Sequence, residues 1–326
     1  MIGIRYQKST PTYDAYLARV QNYILSKSIK NPDILRFVNT YLTGSNFARM
    51  MNTSADNLRF LIANIESNFH ELKTCRYDAE QRKDSELYKF LKYHFVERGY
   101  ERGYQEDKIK YNIPRKELID SLGIDVCPYC NRAFIYTTKS VKNEMVAQAE
   151  IDHFFSKKLF PYLAIAKYNL VPSCSCCNRN GGKFTTDAYD NHLINPYEVD
   201  SSSTYLEFRL RVKNANVTSL DELANGLSLK LIAKQQNMQK NIDSLNLKGL
   251  YQHHTDYAAE LYIKWLVKAT KIYRTSIKSL LRKQGITLTD NDMKRIIVGN
   301  YVMENDFGKR PLSKMMHDIA LELGLI

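Results

Sequence analysis

The sequence has few of the residues that interrupt or cross-link a chain, since its 326 residues include only 13 glycines, 8 prolines and 6 cysteines. With 44% hydrophobic residues, this composition excludes a disordered chain and predicts a globular protein with a sizeable core. No apolar run approaches the roughly 20 residues that a membrane span requires, and the first residues contain no segment typical of a signal peptide. The ATP-binding motif GxxxxGKS/T is also missing, so any nucleotide control is expected to come from another subunit.

Acidic residues are in the minority. The chain has 47 Lys and Arg against 35 Asp and Glu, which gives a formal net charge of +12 and a pI near 9.2. An excess of positive charge favours a polyanionic partner, because cations attract it and release its counterions on binding. Many soluble proteins are basic for solubility alone, so the charge does not decide between these interpretations.

Two CxxC pairs are the most specific feature of the sequence. Cys127 and Cys130 form the first pair, and such pairs predict a tetrahedral zinc site, because each offers two sulfur ligands from one tight turn. Spacing favours Cys174 and Cys177 as the second pair and leaves Cys176 spare. Thiolate zinc ligation with leftover free thiols favours a reducing compartment, so we expect a cytoplasmic protein.

A group of polar residues lies between and beside these pairs. Asp152 and His153 end an alternating stretch, Asn169 follows, and Asn178 comes directly after the last zinc cysteine. An imidazole titrates near neutrality, so His153 is a candidate general base that takes a proton from water. The carboxylate of Asp152 suits Mg²⁺ or Mn²⁺, which complete their shells with water and phosphate. The combination predicts a one-metal phosphodiesterase centre.

Residues 127–183 resemble the HNH endonuclease family, whose ββα-metal motif consists of CxxC, DH, an Asn and CxxCN. This chain has CPYCN, EIDHF, YNLVPSC and CSCCN in that order. The resemblance implies an α+β protein, mostly helical, in which a small ββα-metal core with a structural four-cysteine zinc site is flanked by helical regions. It also implies that His153 and Asn169 are catalytic, with Asn169 orienting the histidine and its loop. Asp152 and Asn178 are the implied ligands of a catalytic Mg²⁺ or Mn²⁺, in an H-N-N variant of the motif.

The chain departs from the family pattern after the second CxxC pair. HNH proteins commonly have a lysine three residues after the CxxCN asparagine, where this chain has Gly181. Lys183, two residues further on, is the candidate phosphate contact near a helix start. His192 is an alternative second ligand to the catalytic metal.

The function that the resemblance implies is metal-dependent hydrolysis of phosphodiester bonds in DNA, leaving 5′-phosphate and 3′-hydroxyl ends. The helical flanks are similar to those of HNH effector nucleases of bacterial anti-phage systems of the Septu and retron-associated type. Those nucleases commonly work beside an ATPase, so DNA and an ATPase or other defence-system subunit are the expected partners. Two alternatives stay open: a non-catalytic zinc-stabilised nucleic-acid-binding or assembly subunit, and RNA cleavage by the same centre.

Three regions are predicted along the chain: a helical region over residues 1–112, the nuclease core over 113–200, and a β-hairpin with further helices over 201–326. Within the core, two strands are predicted over 133–138 and 146–152, followed by a helix that begins near 178. The repeated segment ERGYERGY at 97–104 is expected to be a linker or turn.

One long helix is predicted over residues 261–282. Apolar residues recur on one face, while Lys264, Lys268, Lys271 and Arg274 lie on the opposite face with no acidic residue between them. This is either an ordinary solvated face or a surface that follows a nucleic-acid backbone. We predict the second, and count these residues with Lys183 as the nucleic-acid-binding set.

Overall fold

The computed structural model describes residues 1–106, 109–139, 145–147, 149–179, 186–214, 217–267 and 271–326. Its N-terminal part is helical because apolar residues recur at helical spacing: in α1 (Pro11–Leu25), Tyr13, Tyr16, Val20 and Ile24 are buried together. The other helices of this part are α2 (Pro32–Phe37), α3 (Asn46–Met51), α4 (Ala55–Asn68), α5 (His70–Tyr77), α6 (Ala79–Asp84) and α7 (Glu86–Leu91). Wide π-helical turns extend α2 over Val38–Leu42 and α7 over Lys92–Arg102.

Short antiparallel strand pairs form the middle of the chain. They are β1 (Tyr104–Glu106) with β2 (Ile109–Tyr111), β3 (Thr137–Lys139) with β4 (Met145–Ala147), and β5 (Glu150–His153) with β6 (Leu170–Ser173). The helix α8 (Arg115–Asp120) precedes β3, and α9 (Ser175–Asn178) follows β6 and packs against β5. The chain therefore has two antiparallel strands followed by a helix around the Asp-His dipeptide.

The strands predicted for this part are confirmed only in part: Thr137 and Thr138 pair with Ala147 and Val146, but the rest of the second strand pairs elsewhere. The predicted strand over residues 146–152 is divided between β4 and β5, and β5 pairs with β6, which the sequence did not predict. The reason is that β6 reads Leu-Val-Pro-Ser, a run without alternation in which all four residues are buried and Pro172 cannot donate a hydrogen bond. The observed helix α9 ends at Asn178, where the predicted helix begins, and residues 180–183 of that prediction lie outside the described residues.

The C-terminal part combines one hairpin with helices. The predicted hairpin is present, since β7 (Leu206–Val212) pairs antiparallel with β8 (Leu227–Ala233). The helices are α10 (Ser202–Tyr205), α11 (Leu220–Gly226), α12 (Gln236–Ser244), α13 (Leu247–Tyr251), α14 (Thr255–Leu266), α15 (Lys271–Lys283), α16 (Asp290–Val298) and α17 (Ser313–Glu322). The apolar stripe predicted on a single helix is divided between α14 and α15, and Trp265 of α14 and Leu280 of α15 are exposed.

One hydrophobic core includes buried residues from all three predicted regions, from Met1 to Leu325. The N-terminal segment helps to join them, because the Ile2 amide donates to the Pro128 carbonyl and the Ile4 amide to the Pro196 carbonyl. The region boundaries near 112 and 200 therefore stay predictions. No helix in the described part of the chain has both the length and the apolar character that crossing a bilayer requires.

Candidate active site and metal centre

Four cysteines from the two CxxC pairs meet in one cluster. Cys127, Cys130, Cys174 and Cys177 are buried, and their sulfur atoms all lie within 4.8 Å of one another. The Cys130 and Cys174 sulfurs are 3.8 Å apart, close to the ~3.8 Å that tetrahedral geometry with Zn–S bonds of about 2.3 Å requires. Cys176 is exposed and takes no part. The four cysteines can therefore hold a zinc ion, with the pairing that the spacing favoured.

The same thiols differ in acidity. Burial raises the pKa of Cys127. Hydrogen bonding with Cys127 lowers the pKa of Cys130 and of Cys174 but raises that of Cys177. A bound divalent cation would favour the deprotonated form of all four.

Asn131, directly after the first pair, fixes the zinc cluster to the C-terminal part. Its backbone has a left-handed φ of 50°. Its side-chain NH₂ donates to the Phe307 carbonyl at 2.8 Å, and its side-chain oxygen accepts from the Ser313 hydroxyl and the Lys314 backbone N–H. The Tyr251 hydroxyl also donates to the Cys130 carbonyl. The sequence did not single out Asn131, and the only local signal was an asparagine after a CxxC turn.

Asp152 is buried at the end of β5 and is held by the first zinc turn. The Tyr129 hydroxyl donates to Asp152 Oδ2 at 2.6 Å. A hydrogen bond to an ionised oxygen is short and strong, so it restricts rotation of the carboxylate. Tyr129 lies between the two cysteines of the first pair, and sequence reasoning gave it no role.

His153 follows Asp152, and its side chain takes the opposite face of the strand. Its Nε2 lies 2.9 Å from the Ala164 carbonyl oxygen. Because a carbonyl only accepts, Nε2 carries the proton, and Nδ1 is the nitrogen that can accept one. The His153 ring also meets the Tyr100 ring edge-on, with centroids 4.3 Å apart.

Asn169 is fully buried and fastens the loop that follows β5. Its side-chain NH₂ donates to the Phe155 and Leu163 carbonyls at 3.0 Å each, and its side-chain oxygen accepts from the Phe155 amide at 2.7 Å. Leu163 precedes Ala164, whose carbonyl orients His153. Asn169 thus contacts the backbone of this loop, and the orienting role that the family resemblance implies for it stays a prediction.

Asn178 lies at the end of α9 and contacts β5. Its side-chain NH₂ donates to Glu150 Oε2 at 2.8 Å, and Arg179 forms an ion pair with the other oxygen of Glu150. Glu150 and Asp152 are two residues apart on one strand, so their side chains are on the same face. Sequence reasoning missed Glu150, although its alternation with Asp152 was a usable signal. His192, the alternative ligand, lies exposed in a turn.

The repeated segment at 97–104 is not a linker, so that prediction is wrong. Gly99 is buried, and Tyr100 contacts His153. The Arg115 guanidinium lies 4.1 Å from the Tyr100 ring centroid, and Lys157 Nζ lies 4.9 Å from it. An aromatic residue with two cations therefore stands beside the candidate base.

The predicted nucleic-acid-binding residues are only partly described. Lys183 and Lys268 lie outside the described residues, and Lys271 is the first residue of α15. Lys264 is half-buried on α14. Arg274 donates to the Leu325 carbonyl, so part of its hydrogen-bonding capacity is used within the protein.

Outside the four cysteines, the described ranges contain no second convergent group of three or more His, Cys, Asp or Glu side chains. Any hard cation beside Asp152 would therefore have few protein ligands.

Comparison with known proteins gives one short similarity. The Septu protein PtuB of Bacillus thuringiensis is 40% identical over 58 residues, which are 18% of this chain and 21% of that protein. No protein-family model and no solved structure matches the chain. The chain thus matches about a fifth of the length of this relative, and the similarity links part of it to a Septu-type protein.

Proposed function

We propose that this protein is a metal-dependent endonuclease of the HNH type that hydrolyses phosphodiester bonds in DNA. The observation that carries the proposal is the succession β5–β6–α9 around one polar centre. This unit presents Asp152 and His153 at the end of one strand and Asn178 on the helix beside it, against a cluster of four cysteines. A purely structural zinc module would need the cysteines but not this arrangement.

His153 is the proposed general base. Its Nε2 is held by the Ala164 carbonyl, and in this proposal the imidazole takes a proton from water as the water oxygen bonds to phosphorus. The bond from phosphorus to the 3′ oxygen breaks, and that oxygen takes a proton from solvent. The products are a 5′-phosphate and a 3′-hydroxyl end.

Asp152 and Asn178 are the proposed holders of a catalytic Mg²⁺ or Mn²⁺. Their oxygens are the hard ligands that these ions prefer, and the hydrogen bond from Asn178 Nδ2 to Glu150 fixes the side-chain amide of Asn178. When bound, the cation supplies Lewis acidity at the scissile phosphate and at the leaving oxygen. The four-cysteine zinc is structural in this proposal.

The similarity to a Septu protein supports a role in bacterial anti-phage defence. We infer that the nuclease is a cytoplasmic effector that works with an ATPase or another defence-system subunit. A freely active, nonspecific nuclease would harm its host, so restraint by a partner or by conformation belongs to the proposal.

The test is cleavage of supercoiled plasmid DNA during titration with Mg²⁺ or Mn²⁺. Wild-type protein should nick the plasmid only with added metal, and Asp152→Ala should require much more metal or remain inactive at equal zinc content. Asp243→Ala, which removes an exposed carboxylate from α12, is the matched control. Equal metal dependence in wild type and Asp152→Ala contradicts the proposal. A labelled RNA assayed in parallel separates DNA cleavage from RNA cleavage.

A further inference from the structure

A hydrogen bond joins the zinc cluster to the proposed catalytic carboxylate. Tyr129 is fully buried between Cys127 and Cys130, and its hydroxyl lies 2.6 Å from Asp152 Oδ2. The two residues are 23 positions apart in the chain, so their contact exists only because the cysteine turn folds back onto β5.

The position of Tyr129 is fixed from both sides. The cysteines that flank it belong to the cluster that can hold zinc, and the carbonyl of the preceding Pro128 accepts a hydrogen bond from the Ile2 amide at 2.8 Å. A donor held this firmly can select one orientation of the carboxylate before any cation arrives. Such partners of metal-binding carboxylates commonly contribute 10–100-fold to metal affinity.

We propose that Tyr129 is a positioning residue that orients the Asp152 carboxylate toward the catalytic cation. The affinity of the Asp152 site for that cation would then depend on the cysteine turn that contains Tyr129. This inference rests on the proposed function. Tyr129 itself touches neither the substrate nor the cation. A merely structural role, in which Asp152 only satisfies a buried hydroxyl, would affect folding and leave cation affinity unchanged.

The test compares Tyr129→Phe with Tyr136→Phe, which removes the hydroxyl of a tyrosine that is 39% exposed. Zinc content is measured first, with a chromogenic chelator, and Mn²⁺ binding is then measured by electron paramagnetic resonance. Tyr129→Phe should keep its zinc and bind Mn²⁺ about 10-fold more weakly, while Tyr136→Phe should match wild type. At saturating Mn²⁺ the nicking rate of Tyr129→Phe should return close to that of wild type. A Mn²⁺ dissociation constant within twofold of wild type overturns the inference.

Zinc loss in Tyr129→Phe and a failure of wild type to bind Mn²⁺ would each decide a separate question. If Tyr129→Phe loses zinc, the double variant Tyr129→Phe/Asp152→Asn decides, since removing the charge of Asp152 should restore zinc binding if the two side chains act together. Continued zinc loss in the double variant contradicts the coupling. If wild type neither binds Mn²⁺ nor cuts DNA, the proposed function fails and this inference with it. If wild type does both and Tyr129→Phe is unchanged, only this inference fails.

Discussion

Adjacent residues at the end of β5 have different environments because side chains alternate along a strand. Asp152 is held by the Tyr129 hydroxyl, and His153 is held by a backbone carbonyl. A carboxylate that is held by a hydrogen-bond donor is suited to binding a cation. An imidazole that is held by a hydrogen-bond acceptor is suited to proton transfer. One dipeptide can therefore supply both functions of the proposed centre.

The negative charge of Glu198 opposes folding. Burial raises its pKa to about 7, although the positive charge of Arg59 opposes the shift, and its Oε1 is buried without a hydrogen-bond partner in the described structure. The folded protein keeps this proton at pH values where the unfolded chain has released it. The free energy of unfolding should therefore fall as the pH rises from about 4.5 to about 7.

The variant Glu198→Gln should remove this contribution to the pH dependence. We expect it to be more stable than wild type at pH 8 by about 3 kcal/mol, because the pKa rises from 4.5 to about 7 and one pKa unit corresponds to about 1.4 kcal/mol. It should have no such advantage at pH 4. Urea denaturation at both pH values measures the difference. Glu80→Gln, at an exposed position, is the control. An identical effect of Glu198→Gln at both pH values would refute this explanation.

At the scale of elements, the turn formed by the first CxxC pair connects distant parts of the chain. The first turn contacts the N-terminal segment through Pro128 and the C-terminal part through Asn131. Zinc binding should therefore contribute directly to the stability of the whole fold, as in other structural zinc sites.

Replacing Cys127 by Ser should release zinc and lower the Tm by about 10 °C. Loss of the zinc should cost a few kcal/mol of stability, and in larger domains each kcal/mol lowers the Tm by about 2–4 °C. Cys176→Ser should leave both unchanged, because Cys176 is exposed and outside the cluster. Zinc release and differential scanning fluorimetry provide the two readouts. Zinc loss in Cys176→Ser, or a normal Tm in Cys127→Ser, would show that the cluster is misassigned.

The sequence predicted the four-cysteine cluster and the hairpin β7–β8 because their signals are local, in the first case a fixed spacing and in the second an alternation. It did not predict β6, which lacks alternation, or its pairing with β5. It also missed Tyr129, Glu150 and Tyr100, because their roles come from contacts with residues distant in the chain. Short motifs thus identified candidate residues, and long-range packing determined which other side chains contact them.

At the scale of the molecule, one hydrophobic core joins the helical regions to the centre. The positive charge is unevenly placed, since residues 261–289 contain Lys and Arg but no Asp or Glu. The exposed Trp265 and Leu280 lie in the same stretch. A nucleic-acid backbone is the partner that we predict for the basic side chains.

Charge reversal of Lys268, Lys271 and Arg274 to Glu should weaken DNA binding and reduce the salt slope by about 2 to 3, because each lost phosphate contact removes about 0.9 from it. Fluorescence anisotropy across a salt series measures both effects. The matched control reverses three other lysines, which lie on the N-terminal helices: Lys83, Lys89 and Lys92. Equal effects of the two triple variants would show that the basic residues of 261–289 form an ordinary solvated face.

The central claim is that His153 is the base of a nuclease centre, and the most direct measurement is the plasmid nicking rate of His153→Ala at matched zinc content. Metal-dependent nicking should fall at least about 100-fold from wild type to His153→Ala, the lower range for loss of a general base. His70→Ala, at an exposed position of α5, should keep the wild-type rate. Equal nicking by wild type and His153→Ala would contradict the proposed role of His153.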